Sequence, residues 1–264
     1  MQIPRSYIDN YSKALNVVSE QARVALVDAL SKLDYSADIA DIRNEVIAIM
    51  QVACGASATM AARLAAEFYD GLRKRFVLDT AYIAAVDSMR NPDATSEAVR
   101  AFIQILVDDE PVDDFIAKCS DRIDYETRKA ANECVYSNAK RDPLKPKYAR
   151  VPTGNETCAW CMLLASYGFT SQMKEVVQHT HENCDCRVVV SWDESPTVSD
   201  DDSEQFAYKD LYEEAEKMRT SGDMPEALKL RISEARDRRK LEKKNWTTLN
   251  ELTIIARWLH PELS

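Results

Sequence analysis

Cysteine and histidine are concentrated in one short part of this chain. Four of the seven cysteines and two of the three histidines lie between residues 157 and 190. Cys158 and Cys161 form a C-x-x-C pair, Cys184 and Cys186 form a C-x-C pair, and His181 stands three residues before Cys184. Zinc prefers four thiolate or imidazole ligands in a tetrahedron. The spacing predicts a structural zinc site, held by all four cysteines or by three of them and a histidine.

Other chemistry for the same residues stays open. Two disulfides, or reduced thiols grouped by chance, would need no metal, and a catalytic metal could use His179 or Glu182 beside it. Two catalytic patterns do not fit. A zinc deaminase needs H-x-E before its C-x-x-C, and a zincin H-E-x-x-H would need histidine where Asp185 stands. No βαβ pattern surrounds Cys158, so a thioredoxin-like redox centre is not favoured.

The composition indicates a mainly helical protein. The chain has 264 residues, of which only 5 are glycine, and 45% are hydrophobic. Few glycines and many strong helix formers favour helices over a turn-rich β fold. The formal net charge is -10, so general nucleic-acid binding is not expected and any contact with DNA needs a local basic patch.

Composition also divides the chain into four stretches. Apolar residues recur at steps of three and four through residues 1–142, which predicts a helical N-terminal domain. The proline-rich "RDPLKPKYARVPTG" opens a small α+β domain over residues 143–192, where the valine run of "CRVVVSW" predicts a strand. Residues 193–205 are acidic and predict a solvated linker. Residues 206–264 predict a helical C-terminal tail.

The most apolar segment covers residues 46–62, "VIAIMQVACGASATMAA". A membrane span needs about 20 mainly apolar residues, and this stretch is short, rich in small residues and interrupted by Gln51. We therefore expect a buried core helix and no membrane partner. The N-terminal "MQIPRSYIDNYSK" lacks the apolar core of a signal peptide, so we expect synthesis in a cytoplasm. In that compartment a cysteine cluster favours metal binding or redox chemistry over disulfides.

The cysteine region carries a family resemblance. "YARVPTGNETCAWCMLLASYGF", followed by "HENCDCRVV", resembles the core motif of phage minor head proteins of the Mu F-like head morphogenesis family. The likeness is to the branch from phages of Gram-positive, especially actinobacterial, hosts. The matching positions are residues 150–154, 157–161, 165–169 and 181–186, and the stretch that holds them covers about a sixth of the chain.

The resemblance implies a virion protein rather than an enzyme. Such proteins lie inside the head near the portal, after assembly in the host cytoplasm, in low copy number. They support head assembly and, in some cases, DNA packaging or delivery. The implied partners are the portal and major capsid proteins, and packaged DNA. The implied role of zinc is structural, and His181 is preferred to His179 as a ligand because it matches the family position.

The C-terminal tail contains a basic patch on this acidic protein. One interpretation is a solvated helix face with internal ion pairs, and the other is contact with packaged DNA or an acidic portal surface. The last helix either packs back on the core or binds a partner. The residues predicted to contact DNA or a partner are Arg236, Arg238, Arg239, Lys240, Lys243 and Lys244.

Overall fold

The structure is a computed structural model that describes residues 2–78, 81–154, 157–171, 186–199 and 202–263. For residues 202–207 it describes the backbone alone. The described chain is mainly helical with two short strands, as the composition predicts. A zinc domain is not shown.

Three long helices form the first part of the chain. They are α1 (Arg5–Leu30), α2 (Ile39–Phe76) and α5 (Val112–Arg141), and each packs against the other two. Two short helices, α3 (Pro92–Phe102) and α4 (Gln104–Val107), cover one end. Local signals set the helix starts: Asp38 accepts a hydrogen bond from Ala40 N, and Asn91 accepts one from Asp93 N. Both satisfy backbone donors that a helix start leaves open.

The long helix α2 forms the centre of this bundle. It is the described helix that is long and apolar enough to cross a membrane, judged by length and composition only. Its predicted apolar stretch carries an interior row of residues without solvent exposure. Small side chains in that row let α1 and α5 approach closely. The fully buried members of the stretch are Val46, Met50, Cys54, Ala58, Ala61 and Ala62.

The two strands form an antiparallel pair on the bundle. Strand β1 (Lys147–Val151) pairs with β2 (Arg187–Ser191), with Tyr148 opposite Val190. All five residues of β2 are buried, and the strand packs against α5 and α2. The valine run therefore forms the predicted strand. This strand is buried, as its apolar composition indicates. Helix α6 (Ala159–Ser166) follows β1 and packs against it.

The C-terminal tail folds back onto this part of the molecule. Helices α7 (Asp202–Ser221) and α9 (Thr248–Leu259) both pack against α6, and α8 (Glu226–Leu241) packs against α9. Thr247 and Asn250 begin α9 with a reciprocal capping box. The interior face of α9 includes Leu252 and Ile255. The last helix therefore packs on the core, one of the two predicted alternatives.

The N-terminal segment pairs with residues that follow β2. Ile3 N donates to Thr197 O at 2.9 Å, and Ser199 N donates to Ile3 O at 2.9 Å. Val198 is 6% exposed and belongs to the core. That core also includes Ala65, Val189 and Ile255, from the bundle, the strand pair and the tail. The predicted linker thus contains a buried residue, Val198, although Glu194 and Ser195 near its start are exposed, and the four domain bounds stay predictions.

Candidate functional site

Three of the five predicted zinc ligands lie together. Cys158 directly precedes α6, Cys161 lies in the first turn of that helix, and Cys186 directly precedes β2. Cys161 and Cys186 are 1% and 0% exposed and form one buried cluster. Cys158 and Trp160 pack against this cluster. The C-x-x-C spacing produces this arrangement because a helix start presents both side chains towards the same side.

The other two predicted ligands, His181 and Cys184, lie outside the described residues, as do His179 and Glu182. Within the described ranges, no group of three or more His, Cys, Asp or Glu side chains is arranged to hold a metal ion. Cys158, Cys161 and Cys186 belong to one cluster. They are three of the four ligands that a tetrahedral zinc site needs. Zinc at this position therefore stays a prediction, and thiolate sulfur is a donor that suits it.

Two buried arginines flank the cysteine cluster, and sequence reasoning did not identify either as functional. Arg150 in β1 and Arg187 in β2 are each 1% exposed. Arg150 Nη1 donates to Cys161 Sγ at 3.8 Å, and Arg187 Nη1 donates to Cys186 O at 3.2 Å. A guanidinium next to a sulfur favours the thiolate, the form that binds metal. The available signal was an arginine beside the valine run of β2, whereas β1 also contains Lys147 and gave no comparable signal for Arg150.

Helix α5 fixes the strand that follows Cys186. The side chain of Asn132 accepts from Val188 N at 3.0 Å and donates to Cys186 O at 3.4 Å. Asn132 is 1% exposed, so both bonds satisfy backbone groups in a dry interior, where leaving them open is costly. The amide thus determines where Cys186 stands relative to the bundle.

The proline-containing lead of the family motif contacts α1. Arg5 Nη2 donates to Pro152 O at 3.0 Å, and the hydroxyls of Ser12 and Thr153 lie 2.8 Å apart. One β2 residue makes a similar link, since Arg187 Nη2 donates to Asn16 Oδ1 at 3.2 Å. The cysteine cluster and the helical bundle are therefore joined by polar contacts as well as by the shared core.

The remaining described cysteines belong to the bundle interior. Cys54, Cys119 and Cys134 have 0% exposure. Burial raises the pKa of Cys54 and of Cys119 to about 12, since a charged thiolate is poorly solvated there. Burial also raises the pKa of Cys134, whose thiol donates to Ala62 O. These three thiols therefore act as small core residues.

Part of the predicted basic patch has intramolecular contacts. Arg236 lies 3.6 Å from Glu251 and 5.3 Å from the centre of the Trp246 ring. Arg239 Nε donates to Asn245 O at 2.9 Å. These three contacts stabilise the turn between α8 and α9, which favours the interpretation of a helix face with internal contacts for these two side chains.

Of the other four predicted patch residues, one has an ion-pair partner in the described part of the chain and three do not. Lys244 pairs with Glu242 at 2.8 Å, and this bond lowers the pKa of Glu242, with a smaller contribution from Arg238. Among the described residues, no carboxylate lies within 4.0 Å of the basic groups of Arg238, Lys240 or Lys243. These three side chains are exposed and available to a partner.

A groove between α8 and α9 adds residues that the sequence did not connect. It has a volume of about 520 Å³. Arg238 of the predicted patch lines it together with Arg231 and with Arg257 from the last helix. Arg257 was missed because its place beside the patch depends on α9 folding back. The remaining lining residues are Glu234, Ala235, Ile254, Pro261 and Leu263.

Comparison with known proteins gives one family. A profile described as VG15 protein, a viral gene 15 protein, matches residues 2–215. The matched range includes the bundle, both strands, the cysteine cluster and most of α7, and it ends before α8. Neither the curated proteins nor the solved structures contain a match to this chain.

Proposed function

Because the chain belongs to the VG15 protein family, a viral family, we propose that it is a minor capsid protein of a tailed phage. It acts at the portal and the interior of the head, where it supports head assembly or DNA packaging and delivery. Its direct partners are the portal and major capsid proteins. It is assembled in the host cytoplasm and remains in the virion.

The observation that carries this proposal is the extent of the family match. The match covers residues 2–215 and so includes every segment of the minor-head motif, at residues 150–154, 157–161, 165–169 and 181–186. The viral family and the motif resemblance point in the same direction from different features. The first rests on most of the chain, and the second rests on one short set of spaced residues.

The cysteine cluster serves this function as a structural staple. Cys158, Cys161 and Cys186 would hold zinc together with His181 or Cys184, and zinc would supply a rigid tetrahedral link between the start of α6 and β2. Burial supports a closed site, since Cys161 and Cys186 are at most 1% exposed. A catalytic zinc needs an open coordination position for water.

The competing proposal is a metal-dependent hydrolase or nuclease that acts in head maturation. In that case His179 or Glu182 would act beside the metal. Replacing His179 with Ala separates the two proposals. A structural site predicts a variant that folds, retains zinc and supports assembly. A variant that folds and retains zinc but yields no mature heads would favour the enzyme.

The proposal is tested on particles of the virus that encodes this chain. Virions and DNA-filled heads without tails are purified on density gradients and their proteins are quantified by mass spectrometry. We expect the chain in both fractions, in far fewer copies than the major capsid protein, and cross-linked to the portal. A chain that is abundant in the infected lysate but missing from both particles contradicts the proposal.

A further inference from the structure

We propose that the groove between α8 and α9 binds the phosphate backbone of double-stranded DNA through Arg231, Arg238 and Arg257. This inference deepens the proposed function and rests on it for the choice of DNA as partner. The groove lies beyond the family match, which ends at residue 215.

The groove collects three guanidinium groups from two helices. Arg231 and Arg238 lie seven residues apart on α8, which places them on one face, and Arg257 lies in the last turn of α9. All three side chains are exposed and line the same volume of about 520 Å³. Arginine binds phosphate with two parallel N–H donors, so it is well suited to this ligand.

These three arginines differ in their pairing from two of their basic neighbours, Arg236 and Lys244. Arg236 and Lys244 have carboxylate partners at 3.6 and 2.8 Å. In the part of the chain that the structure describes, no carboxylate lies within 4.0 Å of Arg231, Arg238 or Arg257. Glu234 also lines the groove but forms no ion pair with Arg231 or Arg238. The groove thus retains positive charge in a protein whose formal net charge is -10.

The spacing along α8 matches a phosphate backbone. Seven helical residues rise about 10.5 Å, at roughly 1.5 Å each. Phosphates on one strand of B-DNA follow each other every 3.4 Å or so along the axis, so Arg231 and Arg238 can contact phosphates about three nucleotides apart. Arg257 approaches the same groove from the other helix. None of these contacts reads a base, so binding is independent of DNA sequence.

Charge outside the groove favours DNA over an acidic peptide. Lys240 and Lys243 are exposed beyond Arg238 and have no carboxylate within 4.0 Å among the described residues. The positive surface therefore continues past the groove, as an extended polyanion requires. Apolar groups at Ile254 and Leu263 line the groove and can contact deoxyribose. An acidic protein segment is the competing occupant.

The experiment measures binding of a fluorescent DNA duplex to the full chain by anisotropy at several KCl concentrations. The test variant carries Arg231→Gln, Arg238→Gln and Arg257→Gln. The matched control carries the same loss of charge at exposed positions on α1, α2 and α3, namely Lys13→Gln, Arg63→Gln and Arg100→Gln. Circular dichroism and thermal unfolding check that both variants are folded. A single Arg257→Gln variant tests the contribution of α9 alone.

We expect the groove variant to bind at least about tenfold more weakly at low salt. Each phosphate contact contributes roughly 0.9 to the log–log salt slope, so the slope should fall in magnitude by about 2 to 3. The control should keep the wild-type slope. Equal binding by the groove variant and wild type overturns the proposal, as does a wild-type chain that does not bind duplex DNA at low salt.

Competition with polyglutamate distinguishes DNA from an acidic protein segment as the occupant of the groove. Displacement of DNA by salt but not by polyglutamate at equal charge supports DNA. Groove-dependent binding of polyglutamate that is tighter than binding of DNA overturns the assignment in favour of an acidic protein. These outcomes leave the minor capsid proposal intact, since that proposal fails only if the chain is missing from virions and heads.

Discussion

Arg73 Nε lies 2.9 Å from Asp142 Oδ2, and the two side chains are 4% and 0% exposed. This ion pair joins α2 to the residue directly after α5, where the chain turns towards β1. Tyr69 donates a second hydrogen bond to Asp142 Oδ2 at 3.1 Å, and Leu144 N donates to Asp142 Oδ1 at 2.9 Å. The carboxylate thus fixes the position at which the bundle ends and the strand pair begins.

Asp142→Asn should lower the free energy of unfolding by about 3 to 5 kcal/mol, because it leaves the buried Arg73 charge without its partner. Urea unfolding at neutral pH measures the change. Asp87→Asn is the matched control, since its ion pair with Arg141 is 2.9 Å long but 32% and 47% exposed, and we expect a loss of about 1 kcal/mol or less. Similar losses for both variants would contradict the structural role of Asp142.

The thiols of Cys54 and Cys119 should not react in the folded protein. Their pKa of about 12 leaves a thiolate fraction at pH 8 that is lower by roughly a thousandfold than that of an ordinary cysteine. Alkylation with and without urea, followed by mass spectrometry of each cysteine peptide, measures the protection. Rapid labelling of either residue without urea would mean that this end of the bundle is open.

His260 should stabilise the protein at acidic pH only. Its ring lies 3.2 Å from Glu214 and 3.2 Å from Glu262, and these hydrogen bonds raise its pKa above the usual 6.5, with Glu214 as the largest cause. The folded state therefore holds the proton more tightly than the unfolded state. The stabilisation is fully present below about pH 6.5 and is lost as the pH rises through the folded pKa.

His260→Gln measures this contribution. Because His260 is 37% exposed, we expect wild type to exceed the variant by only about 0.2 to 1 kcal/mol near pH 5.5 and by nearly nothing near pH 8.5. The comparison uses urea unfolding of both proteins at both pH values. A difference that grows as the pH rises would have the wrong sign for this contact.

Arg150 should act as a positioning residue for the metal through Cys161. Arg150→Gln removes the charge beside the sulfur, and we expect zinc affinity to fall about 10- to 100-fold. Competition with a coloured chelator measures the affinity, and circular dichroism verifies the fold. Arg150→Lys retains a positive charge and should recover part of the affinity. Equal affinity in wild type and the Gln variant would contradict a role for Arg150 in metal binding.

The sequence predicts the helices and strands better than it predicts the contacts between them. Helical periodicity indicates the bundle, and the apolar valine run indicates β2, since both patterns follow from which face is buried. The pairing of Ile3 with Thr197 and Ser199 has no local signal, because it joins residues far apart in the chain. The same holds for Arg73 and Asp142, which are 69 residues apart.

For the candidate site, the sequence predicts which cysteines come together but not the residues that surround them. The spacing predicts that Cys158, Cys161 and Cys186 approach one position, and the structure brings these three together, while their role as metal ligands stays a prediction. Arg150 could not be assigned to it from sequence, because an arginine in a strand faces solvent more often than an interior sulfur. In the basic patch, charge alone did not separate the internally paired Arg236 from the exposed Arg238.

We propose that the cysteine cluster is a closed structural metal site in a viral structural protein. The most direct test is the metal content and thiol reactivity of the chain purified without added zinc. We expect one zinc per chain, with Cys158, Cys161, Cys184 and Cys186 protected from alkylation until a chelator is added. A chain without metal, in which these four thiols react freely or are joined in disulfides, would contradict it.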